Sequence, residues 1–209
     1  MVTKNFEGDD VLVAITPEED KIRNEVYTSF LEVREIIIND AIDDKIFERA
    51  VMQILMFNAE DAGKPAEMRQ PIILHINSVG GYVIQGMNLI NVIKNSVTPV
   101  YGVCHMAYSM AAHILINCHK RYAFKNSSIL LHDGENMVQA TGSKAKDVMN
   151  WMERLEERLD NMIFEKTNIS KEKYEEQRRN EWYMFGDEAK ELGLVDFIIG
   201  EDIPLEQIL

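Results

Sequence analysis

The sequence has few cysteines, few basic residues and no long apolar run. Its 209 residues include two cysteines, and 22 Lys and Arg stand against 35 Asp and Glu, for a formal net charge of −13. Cys104 and Cys118 lie in apolar runs and offer no disulfide framework or paired metal spacing, so we expect small buried side chains. The shortage of Lys and Arg argues against a nucleic-acid partner, because a phosphate backbone is bound by clustered basic residues. Without a membrane-length apolar run or a basic start before an apolar stretch, the sequence predicts no membrane segment, no secretion and a cytoplasmic location.

Metal and cofactor signatures are also missing. His105, His113 and His119 are close in sequence, but their spacing does not place all three on one helical face, and no carboxylate lies among them. We therefore predict no metal site. No glycine-rich loop ends in Lys-Ser or Lys-Thr, so we predict no nucleotide site and no cofactor in this chain.

Apolar patterning predicts alternating strands and helices around one core. We expect strands near 35–39 and at 71–78, 98–104 and 127–132, and helices at about 44–58, 83–95 and 109–117. Such alternation requires crossover connections and is typical of an α/β fold. In the helix at 44–58, six residues are expected on one buried face: Ile46, Phe47, Ala50, Val51, Ile54 and Leu55. Residues 60–69 are predicted to be a surface loop.

The two remaining segments differ sharply in character. Residues 1–28 carry many charges and are predicted to be a solvated, partly disordered segment, followed by a single domain over 29–209.

The pattern of residues 143–166 predicts one helix of roughly 36 Å, at 1.5 Å per residue. Its heptad-like seam comprises Val148, Met152, Leu155, Leu159 and Met162, with a second apolar edge at Trp151, Ile163 and Phe164. Such a helix needs a partner surface, either the sheet of its own subunit or, as we favour, another subunit.

Three features at element ends point to nucleophilic catalysis. Ser109 lies between a strand-like and a helix-like run, where helix N–H groups can stabilise developing negative charge. A capping role is the commoner use of serine at that position. The Gly-Gly pair at 80–81 follows another strand and can direct a backbone N–H into a cleft, and His132 ends a third strand. A nucleophile, a backbone donor and a base together favour catalysis over capping.

Five short motifs follow one another along the chain. They are Asn-Ser-Val-Gly-Gly at 77–81, Gly-Met at 86–87, Met-Ala-Tyr-Ser-Met-Ala at 106–111, Leu-Leu-His at 130–132 and Asp-Glu-Ala-Lys-Glu-Leu-Gly-Leu-Val-Asp at 187–196. Over roughly residues 30–200 the chain resembles the proteolytic subunit of the Clp protease, the ClpP family of serine peptidases. Its departures from the family pattern are those of a divergent member, such as a phage-encoded one.

The resemblance implies a role for each matching residue. Ser109 falls on the nucleophile of the family and His132 on its general base. The oxyanion hole falls on the backbone N–H groups of Gly81 and Met110. Counting back from the Glu-Ala motif places the acidic member of the triad at Glu181, where the family has the shorter Asp.

Other positions follow less directly from the resemblance. Asn180 and Asp133 are the alternative partners of the base. Tyr82, Val83 and Asn136 are expected to contact substrate, the last within a segment at 135–139 that could pair with a peptide by strand addition.

Three residues depart from the pattern of the family. Val79 replaces a Pro, Tyr108 replaces a small Ala, and Asp133 with Gly134 replaces Gln-Pro.

The resemblance also implies an architecture and an assembly. We expect a crotonase/ClpP-like superhelix of repeated β-β-α units, with 143–166 as a protruding handle helix. The expected assembly is a homo-oligomer of stacked heptameric rings that cleaves peptides or unfolded proteins. An ATP-dependent AAA+ unfoldase would feed it, with the N-terminal segment facing the entrance pore.

Three other functions are compatible with the same residues. One is a phage prohead or capsid-maturation protease with the same chemistry. Another is a catalytically inactive, ring-forming subunit, an alternative that remains because Tyr108 and Glu181 depart from the family pattern. The third is an acyl-CoA enzyme on crotonase architecture, which uses backbone oxyanion donors but has no need of a Ser-His pair.

Overall fold

The computed structural model describes residues 2–4, 10–12, 17–134 and 141–208, and it shows a mixed α/β fold. Two short strands, β1 (Val2–Lys4) and β2 (Asp10–Leu12), pair antiparallel. The main sheet has six strands: β3 (Glu35–Ile38), β4 (Ile72–Ser78), β5 (Val100–Tyr108), β6 (Lys120–Leu131), β7 (Trp182–Phe185) and β8 (Phe197–Ile199). Strands β3 to β6 are parallel, in that order. The other side of β6 pairs with two strands. Strand β7 runs antiparallel to the C-terminal part of β6, and β8 runs parallel to its N-terminal part.

Seven α-helices accompany the sheet in the described part of the chain. They are α1 (Pro17–Glu32), α2 (Met52–Glu60), α3 (Val83–Asn95), α4 (Met110–Ile116), α5 (Ser143–Lys166), α6 (Lys171–Gln177) and α7 (Gly186–Glu191). A π-helical turn, Phe47–Val51, precedes α2, and short 3₁₀ turns lie at Ala66–Met68 and Leu205–Gln207.

The core lies mainly on the helical side of the sheet. Strands β3 and β4 are Ile-rich and largely buried, as expected of parallel strands covered on both faces. Every residue of α4 is buried, which holds the start of this helix firmly against the ends of the strands. A smaller apolar cluster on the opposite face contains Ile73, Val103, Tyr122, Ile199 and Ile208.

The predicted strands and helices are largely present, with two corrections. The helix over 83–95 has the predicted bounds. Strand β5 continues to Tyr108 and β6 begins at Lys120, so both are longer than the expected 98–104 and 127–132. A register shift between Cys104 and Met106 allows β5 to continue, and polar residues at the start of β6 obscure its strand pattern.

The second correction concerns the helix expected at 44–58. Ile46, Ala50, Val51 and Ile54 are buried, but Phe47 is 49% exposed and Leu55 is 50% exposed. The π-helical turn has i→i+5 hydrogen bonds, so the residues of α2 are rotated away from the face that an uninterrupted α-helix would present.

Near the N-terminus, residues 17–32 form α1, which begins within the segment at 1–28 that the sequence predicts to be solvated and partly disordered. Pro17 suits the first helical position because proline lacks the N–H that would be unsatisfied there. This helix crosses the boundary expected between residues 28 and 29.

Helix α5 has the bounds predicted for it, and its two halves differ. Ile163 in the second half is buried, and Leu159, Met162 and Phe164 pack against the main core. In the first half, Val148, Met152 and Leu155 are half-buried and Trp151 is exposed. The described residues contain no helix long and apolar enough to cross a membrane.

Both cysteines are buried thiols, as expected. Burial raises the pKa of Cys104 and of Cys118 to about 12, so neither thiol is ionised near neutral pH.

The segment at 60–69 lies mostly on the surface, but it also carries a wholly buried carboxylate, Asp61. Arg34 Nη1 donates to Asp61 Oδ2 at 2.9 Å, Lys64 Nζ to Oδ1 at 2.7 Å and Thr98 Oγ1 to Oδ2 at 2.7 Å. Burial would raise the pKa of Asp61, but the hydrogen bonds from Lys64, Arg34 and Thr98 outweigh it and hold that pKa well below its usual range. The charged form of Asp61 therefore stabilises the fold.

We predict that Asp61→Asn lowers the free energy of unfolding at pH 7 by about 3 kcal/mol, because Arg34 and Lys64 lose a buried charged partner. A carboxyl group with a lowered folded-state pKa stabilises the fold above its unfolded pKa, and this contribution is lost as the pH falls. The difference from wild type should therefore shrink below about pH 4. Denaturant unfolding at several pH values measures it. Glu67→Gln, at an exposed position of the same segment, should have little effect, and a pH-independent loss in Asp61→Asn would contradict the prediction.

Candidate active site

Ser109 occupies a strained turn between β5 and α4. Its φ of 54° and ψ of −124° place it in a backbone region that residues other than glycine rarely adopt. The Ser109 N–H donates to Leu130 O at 2.9 Å, which holds the turn against β6. The Ser109 side chain makes no capping hydrogen bond to α4, so simple capping does not explain this serine. A serine on a sharp strand-to-helix turn is the geometry of a nucleophile elbow.

The glycine pair packs directly against this turn. Gly80 has φ +86°, and a Cβ atom placed on it would lie 2.5 Å from Tyr108 O and 2.8 Å from Ser109 Cβ. Glycine at position 80 therefore permits a contact with the serine turn that any side chain would prevent.

Near Ser109, two backbone N–H groups make no hydrogen bond to the described part of the chain. Ile42 N donates to Gly80 O and Tyr82 N donates to Ile42 O, both at 2.8 Å. Because successive N–H groups of an extended chain point to opposite sides, the Gly81 N–H points away from Ile42. In residues 17–134 and 141–208, no hydrogen bond uses the N–H of Gly81 or of Met110. The Met110 N–H is at the start of α4, where the first N–H groups lack helical acceptors.

Strand pairing brings His132 to the same edge of the sheet. Tyr108 is in register with Leu130, so Ser109 and His132 follow the ends of adjacent parallel strands. Leu131 is paired with Trp182 in the antiparallel β7, which places Glu181 beside His132. His132 Nδ1 lies 3.1 Å from Glu181 Oε1.

Within the described ranges, no hydrogen bond joins the Ser109 hydroxyl to the ring of His132. Such bonds are often long in ligand-free enzymes.

The alternative partners of the base, Asp133 and Asn180, make no hydrogen bond to the His132 ring within the described residues. Asp133 Oδ1 instead accepts a hydrogen bond from Arg178 Nε at 2.5 Å. Of the three candidates, Glu181 is the one that contacts the His132 ring in the described structure. The extra methylene of Glu relative to Asp is therefore compatible with this contact.

A cleft of about 630 Å³ begins at Gly81 and runs along α5. Tyr82 and Val83 line it, as do Trp151, Met152 and Leu155 from the first half of that helix. The lining is largely apolar, with Glu156 as its charged member. Asn136, the third residue expected to contact substrate, lies outside the described residues.

The three histidines considered as metal ligands have separate surroundings. His105 stacks on His75, with ring centroids 5.5 Å apart, and His119 Nδ1 accepts a hydrogen bond from Val100 N at 3.0 Å. His113 is buried in α4. No group of three or more metal-ligating side chains was found in the described part of the chain.

His113 lies near the site, although the sequence patterns did not indicate it as a site residue. It lies one helical turn after Ser109 and is buried, and its Nδ1 has no hydrogen-bond partner among the described residues. Burial and, secondly, the charge of His132 lower the pKa of His113 to about 4. The four-residue spacing from Ser109 is the signal that could have indicated this proximity.

A family model described as Clp protease matches residues 18–202. The chain belongs to the Clp protease family. This membership supports a serine peptidase, and members of the family generally form oligomeric rings that work with unfoldases.

The close approach of Gly80 to the serine turn can be tested by stability. We predict that Gly80→Ala lowers the free energy of unfolding by about 3 kcal/mol or more, through backbone strain and the clash with Tyr108 O. Gly63→Ala is a matched control, because Gly63 also has a positive φ, of 81°, but has open space around its Cα. It should lose about 1 kcal/mol. Equal losses in denaturant unfolding would contradict the predicted contact.

His113 should make the fold sensitive to acid. Its folded-state pKa of about 4 lies below the value of the unfolded chain, so the unfolded state binds the extra proton first as the pH falls. Stability should therefore decline between about pH 6.5 and pH 4, by about 3 kcal/mol in total. His113→Leu should flatten this decline in denaturant unfolding. Ile114→Val, a neighbouring buried change, should preserve it, and an unchanged decline in His113→Leu would contradict the assignment.

Proposed function

We propose that this chain is the proteolytic subunit of a Clp-type serine endopeptidase, with Ser109 as nucleophile, His132 as general base and Glu181 as its orienting carboxylate. The observation that carries the proposal is the contact between His132 and Glu181 beside the strained turn of Ser109. Strand register alone brings these three residues to one edge of the sheet. Family membership gives independent support for a serine peptidase.

The contact with Glu181 assigns the protons on His132. A carboxylate can only accept, so Nδ1 carries the proton that points to Glu181, and the lone pair of Nε2 is free to take the proton of Ser109. Glu181 then stabilises the imidazolium that forms.

The reaction follows from this arrangement. The Ser109 oxygen attacks the peptide carbonyl as His132 accepts its proton. The N–H groups of Gly81 and Met110 bind the oxyanion, and His132 then protonates the leaving amine. Water, deprotonated by His132, releases the acyl group. Losing one oxyanion donor costs on the order of 10²–10³ in rate.

The cleft beside Gly81 suits an apolar side chain of the substrate. Tyr82 and Val83 lie between the oxyanion donor and the apolar face of α5, so we assign them to substrate binding. Residues 135–139, with Asn136, are proposed to pair with the peptide backbone.

Helix α5 supports the proposed assembly. Its first half carries apolar side chains but no buried residue, so a second subunit could bury Val148, Met149 and Trp151. We propose that α5 is the handle helix of a ClpP-like superhelix of repeated β-β-α units and that it joins stacked heptameric rings. The β1–β2 hairpin would face the pore of a cytoplasmic complex fed by an ATP-dependent AAA+ unfoldase. Substrates would be peptides or unfolded proteins, and the chain itself would need no cofactor.

Fluorophosphonate labelling across size-exclusion fractions tests the catalytic assignment. We expect labelling in a large oligomer and its loss in Ser109→Ala and His132→Ala, whereas the control Ser143→Ala should label like wild type. Glu181→Gln should slow labelling by about 10²- to 10⁴-fold, because it cannot stabilise the imidazolium.

The other outcomes distinguish the alternatives. Labelling that survives in Ser109→Ala would show that the site is wrong. A well-formed oligomer that does not label would favour the inactive, ring-forming subunit, and labelling itself would argue against an acyl-CoA enzyme. A capsid-maturation protease would be labelled equally well. Only the identity of its protein substrate would distinguish it from a Clp-type endopeptidase.

A further inference from the structure

Arg178 lies directly after α6 and joins three parts of the chain. Its Nε donates to Asp133 Oδ1 at 2.5 Å and its Nη1 to Asp160 Oδ2 of α5 at 2.9 Å. The same Nη1 reaches Glu175 Oε1 of α6 at 3.4 Å. The Arg178 side chain is 18% exposed and that of Asp160 is 17% exposed, so the ion pair between them is sheltered, whereas the Asp133 and Glu175 side chains are more exposed.

A backbone hydrogen bond reinforces the contact with Asp133. Asp133 N donates to Arg178 O at 2.9 Å, so the residue that follows His132 is tied to Arg178 through both its backbone and its side chain. Arg178 also lies three residues before Glu181, the carboxylate that contacts His132. Both members of the His132–Glu181 pair therefore depend on segments anchored at Arg178.

The surroundings hold the guanidinium in one orientation. Arg178 lies over the ring of Tyr174, 5.7 Å from its centroid. Burial opposes the charge of Arg178, but the hydrogen bond to Asp133 and the charge of Asp160 raise the pKa of Arg178 above its usual range. A planar guanidinium can satisfy two carboxylates in fixed directions, which a lysine ammonium cannot do from the same position.

We propose that Arg178 is a positioning residue for catalysis, which holds the His132–Glu181 pair in register by bridging Asp133 and Asp160. The proposal rests on the proposed function of Ser109, His132 and Glu181. Arg178 touches neither substrate nor the reacting atoms, and it acts through the loop after His132. Small displacements of a base cost up to about 10²-fold in rate, so losing this bridge should lower kcat more than it changes KM.

Arg178→Lys tests the proposal, with Arg121→Lys as the matched control. Arg121 is a sheltered arginine, 14% exposed, bonded to Asp196 at the start of β6, the end opposite to His132. With a fluorogenic peptide, we expect Arg178→Lys to lower kcat by about 10- to 100-fold with KM within about twofold. Arg121→Lys should lose comparable thermal stability but keep kcat within about twofold of wild type.

Hydrogen exchange supplies a readout that does not require activity. In Arg178→Lys, the amide of Asp133 should exchange faster, because its acceptor is no longer held, whereas Arg121→Lys should leave it unchanged. Unaltered kcat in Arg178→Lys, or an equal fall in Arg121→Lys, would show that Arg178 is merely a structural ion pair. If wild type shows no activity dependent on Ser109, the proposed function fails, and the exchange of the Asp133 amide still decides whether Arg178 holds this loop.

Discussion

The pairing of β6 with strands on both sides is the constraint on which the rest of the site depends. Its parallel register with β5 sets Ser109 beside the end of β6, and its antiparallel register with β7 sets Glu181 beside His132. Side chains alternate between the two faces of a strand, so a slip of one residue would direct His132 to the opposite face and separate it from Glu181. The geometry of the candidate site is thus a consequence of backbone hydrogen bonds more than of contacts between its side chains.

Backbone strain and a close glycine contact occur together at the Ser109 turn. Ser109 adopts an unfavourable φ, and such a conformation persists only where the surrounding structure holds it. Two neighbours supply that restraint: α4 is buried along its whole length, and Gly80 packs against Tyr108 O and Ser109 Cβ. The same turn places the N–H of Met110 at the start of α4, beside Ser109, where the first N–H groups lack helical acceptors.

Buried charges hold together segments that are distant in sequence. Asp61 joins Arg34 to Thr98 beneath a surface segment, and Arg178 joins the loop after His132 to α5. Each carboxylate is paired, since an unpaired buried charge would be strongly destabilising. The second cluster is close to the candidate site, and its ion pairs connect Asp160 of α5 with the residue that follows His132.

The sequence by itself determined the features that depend on local pattern. Apolar periodicity located α3 and α5 at their observed bounds, and motif order identified the family and indicated Ser109 and His132 as candidate site residues. Counting from the Glu-Ala motif indicated Glu181, but its contact with His132 depends on the register of β6 with β7, which no local pattern encodes. Tertiary structure also decided the rotation of α2 after its π-helical turn, the extension of β5 past a register shift, and the pairing of Asp61 and Arg178 with their partners. These features arise between residues far apart in sequence, where pairing geometry and the cost of burying charge outweigh local propensity.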